Sequence, residues 1–471
     1  MLFSSTFFLL YFLPAFFTIY YLLPAGFKNY FIVLASVLFY AWGAPQFVFI
    51  LSSAVIADFF LARFIHKSEG NKRKYILTIG IIFNVSVLVY FKYFNFFVDN
   101  LNVLMHAVGK NEISFTRVAL PIGISFFVFH EMSYLIDVYR RVKPPMKNII
   151  DYALYIFLFP QLIAGPIIRF NEIADQIKGR NFLDNVDNFL PGLFRFSIGL
   201  AKKVLIANVL GAEADKIFHL EYAELSASSA WIGAICYTFQ IFFDFSGYSD
   251  MAIGLGKMMG FSFPENFNHP YIAQSITDFW KRWHMSLSRW MRDYLYISLG
   301  GNKVSVPKMY FNLCVVFLIS GFWHGAQWTF IIWGAYHGLF LVLDRVFLLK
   351  LTERMGSIPR MLITFFIVVI GWIPFRSDNM QQAFMFLKKM FSFSTHEYFL
   401  TAHVTFVLVI AILLSFIPLL YAKLKIPQLI PAGPLSVRRA SLNALVVIVF
   451  MTLCIGEITS MGFNPFIYFK F

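Results

Sequence analysis

The chain has 471 residues, of which 59% are apolar, 20% aromatic and only 14% charged, whereas soluble domains average about 45–50% apolar and about 25% charged. A mean hydropathy of +0.68, spread along the whole length, means that most of the chain has lipid as its solvent, and 60 Phe against 27 Gly and 19 Pro exclude a disordered or collagen-like polymer. The formal net charge of +14 falls in short loops between apolar runs; this is the distribution of topogenic charge, not of a basic stripe for nucleic acid, which is not expected as a partner.

In chain order, the apolar stretch 1–23 lacks the basic start and small-residue cleavage site of a secretory signal and is read as a retained first helix. Spans of membrane-crossing length are expected near 7–23, 30–43, 46–63, 75–97, 119–138, 189–210, 228–252, 306–320, 327–344, 361–375, 403–421 and 440–457. The fold class is therefore all-α: a polytopic integral membrane protein with about 11–12 transmembrane helices plus re-entrant and interfacial helices. Basic loops at 63–74, 140–147, 281–303, 345–360 and 423–439 share one side, the cytoplasm, if the N-terminus is outside, and the acidic stretch Glu213, Asp215, Glu221, Glu224 then falls on the other.

Two segments depart from ordinary spans. Residues 151–170 carry Phe159-Pro160-Gln161-Leu162-Ile163-Ala164-Gly165-Pro166, and the prolines and glycine break a helix where hydrogen bonds would have to be continuous, so a re-entrant hairpin is expected. Residues 276–298 place Trp280, Trp283, Leu287, Met291 and Tyr294 on one face and Asp278, Lys281, Arg282, Arg289, Arg292 and Asp293 on the other, the pattern of a basic amphipathic helix at the inner interface. His284 falls on its apolar side, about 40° from Trp280 at about 100° per residue. No fixed-period repeat or flexible linker divides the chain, and 1–471 reads as a single integral-membrane domain.

Among the ten histidines, those in apolar runs carry the most information, because an ionisable group at membrane depth is costly. His324 lies in Ser320-Gly321-Phe322-Trp323-His324-Gly325-Ala326-Gln327-Trp328, and His337 in Trp333-Gly334-Ala335-Tyr336-His337-Gly338. On composition alone each also reads as a core histidine with its hydrogen bonds satisfied. An inward His284 and an inward His324 together, with Trp, Gln and Tyr neighbours, would make a dry proton-transfer site. There is no Gly-x-Ser-x-Gly elbow, no His-x4-Asp string and no His-Glu-x2-His, since His130-Glu131-Met132-Ser133-Tyr134 fails at its last position. Cys236, Cys314 and Cys454 lie in separate runs without metal-ligand spacing, so no metal is expected. Gly254-Leu255-Gly256-Lys257-Met258-Met259-Gly260 is one residue too long for a dinucleotide fingerprint and suits close helix packing. The carboxylates of Asp244 and Asp250 are open to either a structural or a direct role.

The blocks Phe159 to Pro166, Asp244-Phe245-Ser246-Gly247-Tyr248-Ser249-Asp250, Asn266-Phe267-Asn268-His269-Pro270-Tyr271, Asp278-Phe279-Trp280-Lys281-Arg282-Trp283-His284-Met285-Ser286-Leu287-Ser288 and Gly321-Phe322-Trp323-His324-Gly325 occur in an order that closely resembles the membrane-bound O-acyltransferase (MBOAT) family, above all its bacterial alginate O-acetyltransferase branch. The motif-bearing core runs over about 119–345. The resemblance implies a ring of tilted helices around a thin central layer, with the family histidine at His324 and the branch histidine at His284. It implies transfer of an acyl group, above all acetyl, from a cytoplasmic thioester such as acetyl-CoA across the bacterial inner membrane. An SGNH-type acetyltransferase or polymer acceptor on the far side would then modify an exported polysaccharide such as alginate. No bound cofactor is implied.

In such chemistry His324 is the base, His284, Trp323 and Gln327 orient it or stabilise the oxyanion, and Lys281 and Arg282 meet the donor's phosphates, although anionic lipid explains those charges equally well. Two other readings stay open: D-alanyl transfer towards teichoic acids, and a transporter, whose buried ionisable groups and broken helices look similar.

Overall fold

Backbone polar groups in lipid need partners within their own segment, so a chain of this composition folds as helices. In the computed structural model, which describes residues 1–180, 184–393, 397–424 and 437–460, no strand occurs among the described residues. Eight helical stretches among them are long and apolar enough to cross a membrane: Ala25–Gly43, Pro45–Lys67, Gly70–Ala107, Val306–His324, Trp328–Thr352, Ser357–Arg376, Ala402–Leu419 and Val437–Ser460, with Phe8–Leu22 a shorter apolar helix. The expected spans at 119–138, 189–210 and 228–252 are helical too. They bury His130, Glu131, Lys203, Asp244 and Asp250 within the protein, and these polar residues interrupt the apolar run. Most of the basic loop 423–439 lies outside the described residues.

The chain forms two compact units. The first comprises Met1–Phe189 with Leu255–Phe263 and holds α1 (Leu13–Leu22), α2 (Ala25–Gly43), α3 (Val48–Lys67), α4 (Gly70–Leu88), α5 (Phe94–Ala107), α6 (Ile124–Tyr139), α7 (Ile149–Phe157), the single turn α8 (Phe159–Leu162) and α9 (Phe170–Gly179). The 151–170 stretch breaks as its prolines require: α7 ends at Phe157, the next residue Leu158 has φ −48° and ψ 105°, and irregular backbone follows α8. That backbone is buried against protein and its polar groups find partners. Phe159 N–H donates to Ser36 Oγ at 3.2 Å, and the Tyr155 hydroxyl donates to the Ile168 carbonyl at 2.9 Å. The Phe159 ring meets Phe3, Phe8, Phe12, Phe16 and Phe39 at centroid distances of 5.2–6.4 Å. Each such pair adds about 0.5–1.5 kcal/mol beyond its buried area.

The second unit comprises Leu190–Gly254 with Pro264–Phe471. In chain order its helices are α10 (Asp184–Ala201) from Leu190 on, α11 (Asn208–Phe218), α12 (Ala227–Met258) as far as Gly254, α13 (Ile276–Arg282), α14 (Met285–Trp290), α15 (Val306–His324), α16 (Trp328–Leu343), α17 (Leu349–Thr352), α18 (Ser357–Arg376), α19 (Met380–Met390), α20 (Ala402–Leu424) and α21 (Val437–Ser460). Helices α10 and α12 touch backbone to backbone: a Cβ on Gly199 would lie 2.5 Å from the Gly247 carbonyl, and one on Gly254 2.5 Å from the Gly192 carbonyl. Close packing is thus the role of Gly254.

Both carboxylates of the 243–250 block have cationic partners. Asp244 pairs with Lys203 at 2.7 Å with both side chains buried, and Asp250 accepts from Arg195 at 2.7 Å and Lys202 at 2.6 Å. They tie α12 to α10 and to the π-helical turn Lys202–Ala207 that follows it.

Helices α15 and α16 form an antiparallel hairpin whose small residues set its closeness. A Cβ on Gly321 would strike the Phe330 carbonyl, and one on Gly338 would lie 3.3 Å from Phe317 Cβ. At the far end Arg345 Nη1 is 3.0 Å from Met309 Sδ. His324 therefore ends α15 at the closed end of the hairpin, with Lys308 and Arg345 at the other.

Candidate active site

The amphipathic segment 276–298 has the expected faces, with Trp280, Trp283, Leu287, Met291 and Tyr294 buried and Lys281 exposed. The expected continuous helix, however, is broken. Ser275 caps α13 by accepting from Asp278 N–H at 3.0 Å; α13 ends at Arg282, and His284 takes the left-handed conformation, φ 43° and ψ 52°, before α14 begins. The cause is a distant strand-like segment: Asn268 N–H donates to the Arg282 carbonyl and Met285 N–H to the Asn266 carbonyl, both at 2.9 Å. These long-range bonds replace the helical bonds that the local sequence would otherwise make.

Asn266, 1% exposed, fixes the imidazole of His284. Its Oδ1 accepts from the Ser286 hydroxyl at 2.8 Å and the Ser286 backbone N–H at 3.3 Å, and faces His284 Nδ1 at 3.0 Å. Its Nδ2 donates to Ser249 Oγ at 3.0 Å. A backbone N–H can only donate, so the atom it meets is the amide oxygen, and the His284 nitrogen facing that oxygen must carry the hydrogen. This leaves Nε2 with its lone pair, and the protein gives Nε2 no hydrogen-bond partner. Burial pushes the imidazole down to about 3, so His284 is neutral near pH 7.

His324, 5% exposed, ends α15, and Gly325 follows with extended backbone. A Cβ at Gly325 would run into the Phe330 ring, so the turn out of the helix depends on that glycine. The two imidazoles lie 6.5 Å apart between ring centroids, tilted by 55°. Aromatic rings enclose them: Trp323 at 4.9 Å, Trp333 at 5.1 Å and Phe375 at 5.3 Å from His324, and Phe245 at 4.7 Å from His284. Trp323 also lies 6.3 Å from His284.

Of the residues singled out from sequence, His284, His324 and Trp323 therefore come together. Arg282 stands at the edge, its Nε 2.9 Å from Asp278, and Lys281 and Gln327 are exposed, Gln327 directly before α16. Sequence reasoning gave no role to Asn266, Ser249 or Ser286; all three stand in the family-like segments, but nothing local ties Asn266 to His284. Among the described residues no three or more His, Cys, Asp or Glu side chains gather as a metal site.

A neutral imidazole in a dry aromatic enclosure can take the proton of a hydroxyl near neutral pH. The sequence model of the membrane-bound O-acyltransferase family matches residues 34–374, which include every residue of this enclosure except Phe375. The chain belongs to that family. It is 45% identical over 399 residues to the probable alginate O-acetylase AlgI of Pseudomonas aeruginosa, covering 84% of this chain and 76% of the relative. The AlgI of Pseudomonas putida matches end to end at 39%, and the peptidoglycan O-acetyltransferase of Helicobacter pylori is 41% identical over 76% of this chain and 73% of its own. This MBOAT protein is an O-acyltransferase of the multi-pass membrane class, acting between an acyl donor and a hydroxyl acceptor. The transporter reading is set aside.

Proposed function

We propose that this MBOAT protein works in a bacterial inner membrane, taking an acetyl group from a cytoplasmic thioester such as acetyl-CoA and delivering it across the bilayer for O-acetylation of an exported polysaccharide such as alginate. The names of the relatives at 39–45% identity, alginate O-acetylases and a peptidoglycan O-acetyltransferase, support acetyl as the group and a polymer as its destination. The family match crosses both compact units, which supports one functional domain over 1–471 with its motif-bearing core at 119–345. The observation that carries the reading is the pair of buried imidazoles 6.5 Å apart inside an aromatic enclosure.

In the proposed step the hydroxyl of the acceptor, or of an SGNH-type partner that passes the group on, gives its proton to His324 as its oxygen bonds to the thioester carbonyl carbon. The C–S bond then breaks and the leaving thiolate takes the proton from the imidazolium, so no covalent enzyme intermediate is needed. His284 Nε2, an acceptor in its fixed tautomer, cannot donate to the oxyanion and cannot share the reacting hydroxyl's one hydrogen with His324; it holds the acceptor substrate through a second donor group, such as a neighbouring hydroxyl. Donation to the oxyanion falls to indole N–H groups, with Trp323 in the enclosure wall. Lys281 and Arg282 meet the donor's phosphates from the basic side. Gln327, at the opposite end of the hairpin, contacts the acceptor.

The test is His324→Ala in the full chain: polymer O-acetyl content should fall by at least 100-fold while the protein remains inserted at normal abundance. Retained acetylation removes His324 from the mechanism, and a D-alanyl ester in place of acetate would replace the acetyl assignment.

A further inference from the structure

Within the second unit two neighbouring ties hold the segment that carries Asn266 against α12. Asn266 Nδ2 donates to Ser249 Oγ at 3.0 Å, and the adjacent residues, Glu265 and Asp250, are joined by Arg195 of α10. The Arg195 Nε donates to Asp250 Oδ1 at 2.7 Å, while Nη1 and Nη2 bond the two oxygens of Glu265 at 3.0 and 2.7 Å. A planar guanidinium can serve two carboxylates at once in this fixed geometry; an ammonium is a single point of charge.

The packing of α10 on α12 does not need this arginine. The helices meet at Gly199 and Gly254, where a Cβ would lie 2.5 Å from a carbonyl oxygen of the other helix. Asp250 has a second cation in Lys202, at 2.6 Å. What Arg195 adds is the bridge from α12 to Glu265. Residues 255–263 belong to the first unit and the chain re-enters the second at Pro264, so the path from α12 to Glu265 leaves the unit and does not by itself set the register of the segment on the helix. On its other edge the same segment bonds the backbone of Arg282 and Met285, and Asn266 Oδ1 faces His284 Nδ1. A slip along α12 would therefore carry the imidazole with it, changing its place beside Phe245 of α12, 4.7 Å away, and its distance from His324.

We infer that Arg195 is a positioning residue for the transfer reaction: by bonding Asp250 and Glu265 together it sets the register of the Asn266 segment on α12, and through Asn266 the place of the His284 ring. The inference rests on the proposed function for the reaction that this ring serves.

The experiment uses native membranes in which each variant replaces the full chain, with labelled acetyl-CoA as donor, and counts acetyl esters formed on the polymer per inserted chain. Arg195→Lys keeps a cation beside Asp250 but cannot span both carboxylates. It should lower kcat by about tenfold, as misplacement of a reacting group does, at normal abundance and with KM for acetyl-CoA unchanged. Glu265→Ala, which removes a half-exposed carboxylate, should do the same, and the two together should cost little more than either. In an Asn266→Ala background Arg195→Lys should cost less than about twofold further, because it acts through that amide; a general loss of stability would lower the rate equally in both backgrounds. Wild-type kcat in Arg195→Lys, an undiminished loss in the Asn266→Ala background, or a loss confined to KM for acetyl-CoA overturns the inference. If Arg195→Lys is not inserted, the same comparisons with Glu265→Ala decide it. Wild-type membranes no faster than His324→Ala membranes would instead sink the acyl-transfer reading itself, and this inference with it.

Discussion

Replacing Asn266 by alanine removes one acceptor oxygen and one donor nitrogen from the centre of the site. The His284 Nδ1–H and the Ser286 backbone N–H lose the oxygen they face at 3.0 and 3.3 Å. A buried donor left without an acceptor costs about 1–3 kcal/mol, so the two together cost about 2–6 kcal/mol if neither finds another partner. The chemical consequence is larger than the lost stability. With Nδ1 released, the imidazole is free to carry its hydrogen on Nε2, where a donor replaces the acceptor that holds the substrate. We expect at least a tenfold loss of acetylation in Asn266→Ala, with lowered thermal stability of the detergent-solubilised protein. Asn266→Asp keeps an acceptor facing Nδ1 and should retain more activity than Asn266→Ala. The decisive measurement is a double-mutant cycle, in which Asn266→Ala should cost little further activity in a His284→Ala background because both act through one ring. Additive losses would refute the assignment of Asn266 as the residue that sets the tautomer of His284.

Lys203→Met, which removes the cation buried against the Asp244 carboxylate, should destabilise the second unit by about 3–5 kcal/mol, read as lost abundance and a lowered melting temperature. The double variant Lys203→Met/Asp244→Leu should recover part of that loss. The depressed imidazole of His284 makes a pH prediction whose sign is fixed. Its folded value of about 3 lies below the ordinary 6.5, so its contribution is fully present above about pH 6.5 and is lost as pH falls below that value. Between pH 6.5 and 5.5 the wild type should lose about 1.4 kcal/mol at most relative to His284→Gln, seen as converging melting temperatures; parallel curves would show that the ring titrates normally.

How far the sequence could be read depended on the range of the forces involved. The buried face of 276–298 follows from helical spacing, and the break after Phe159 from proline chemistry, because both are set within a few residues. The interruption at His284 was not legible, since its cause is a pair of backbone bonds to Asn266 and Asn268, 14–19 residues earlier. The approach of His284 to His324 was accessible only as two inward-facing faces and through family likeness; the 6.5 Å between them needs the packing of separate helices. Hydropathy correctly found helices at 119–138 and 228–252, yet it could not show that Glu131 or Asp244 face protein. Nor could it show that His337, unlike Asp244, lacks a partner, because an unmet hydrogen bond leaves no mark in sequence spacing.

The left-handed backbone at position 284 filters its substitutions before chemistry is considered. Holding a residue with a Cβ in that conformation costs about 1–2 kcal/mol, and asparagine, aspartate and histidine bear it most readily after glycine. Relatives that drift at this site are therefore steered towards those few side chains, all but glycine able to hydrogen-bond, and a bulky apolar or β-branched replacement is disfavoured whatever the reaction requires. For laboratory variants His284→Asn is accordingly a cleaner probe of the imidazole than His284→Val, in which the backbone and the ring are lost together.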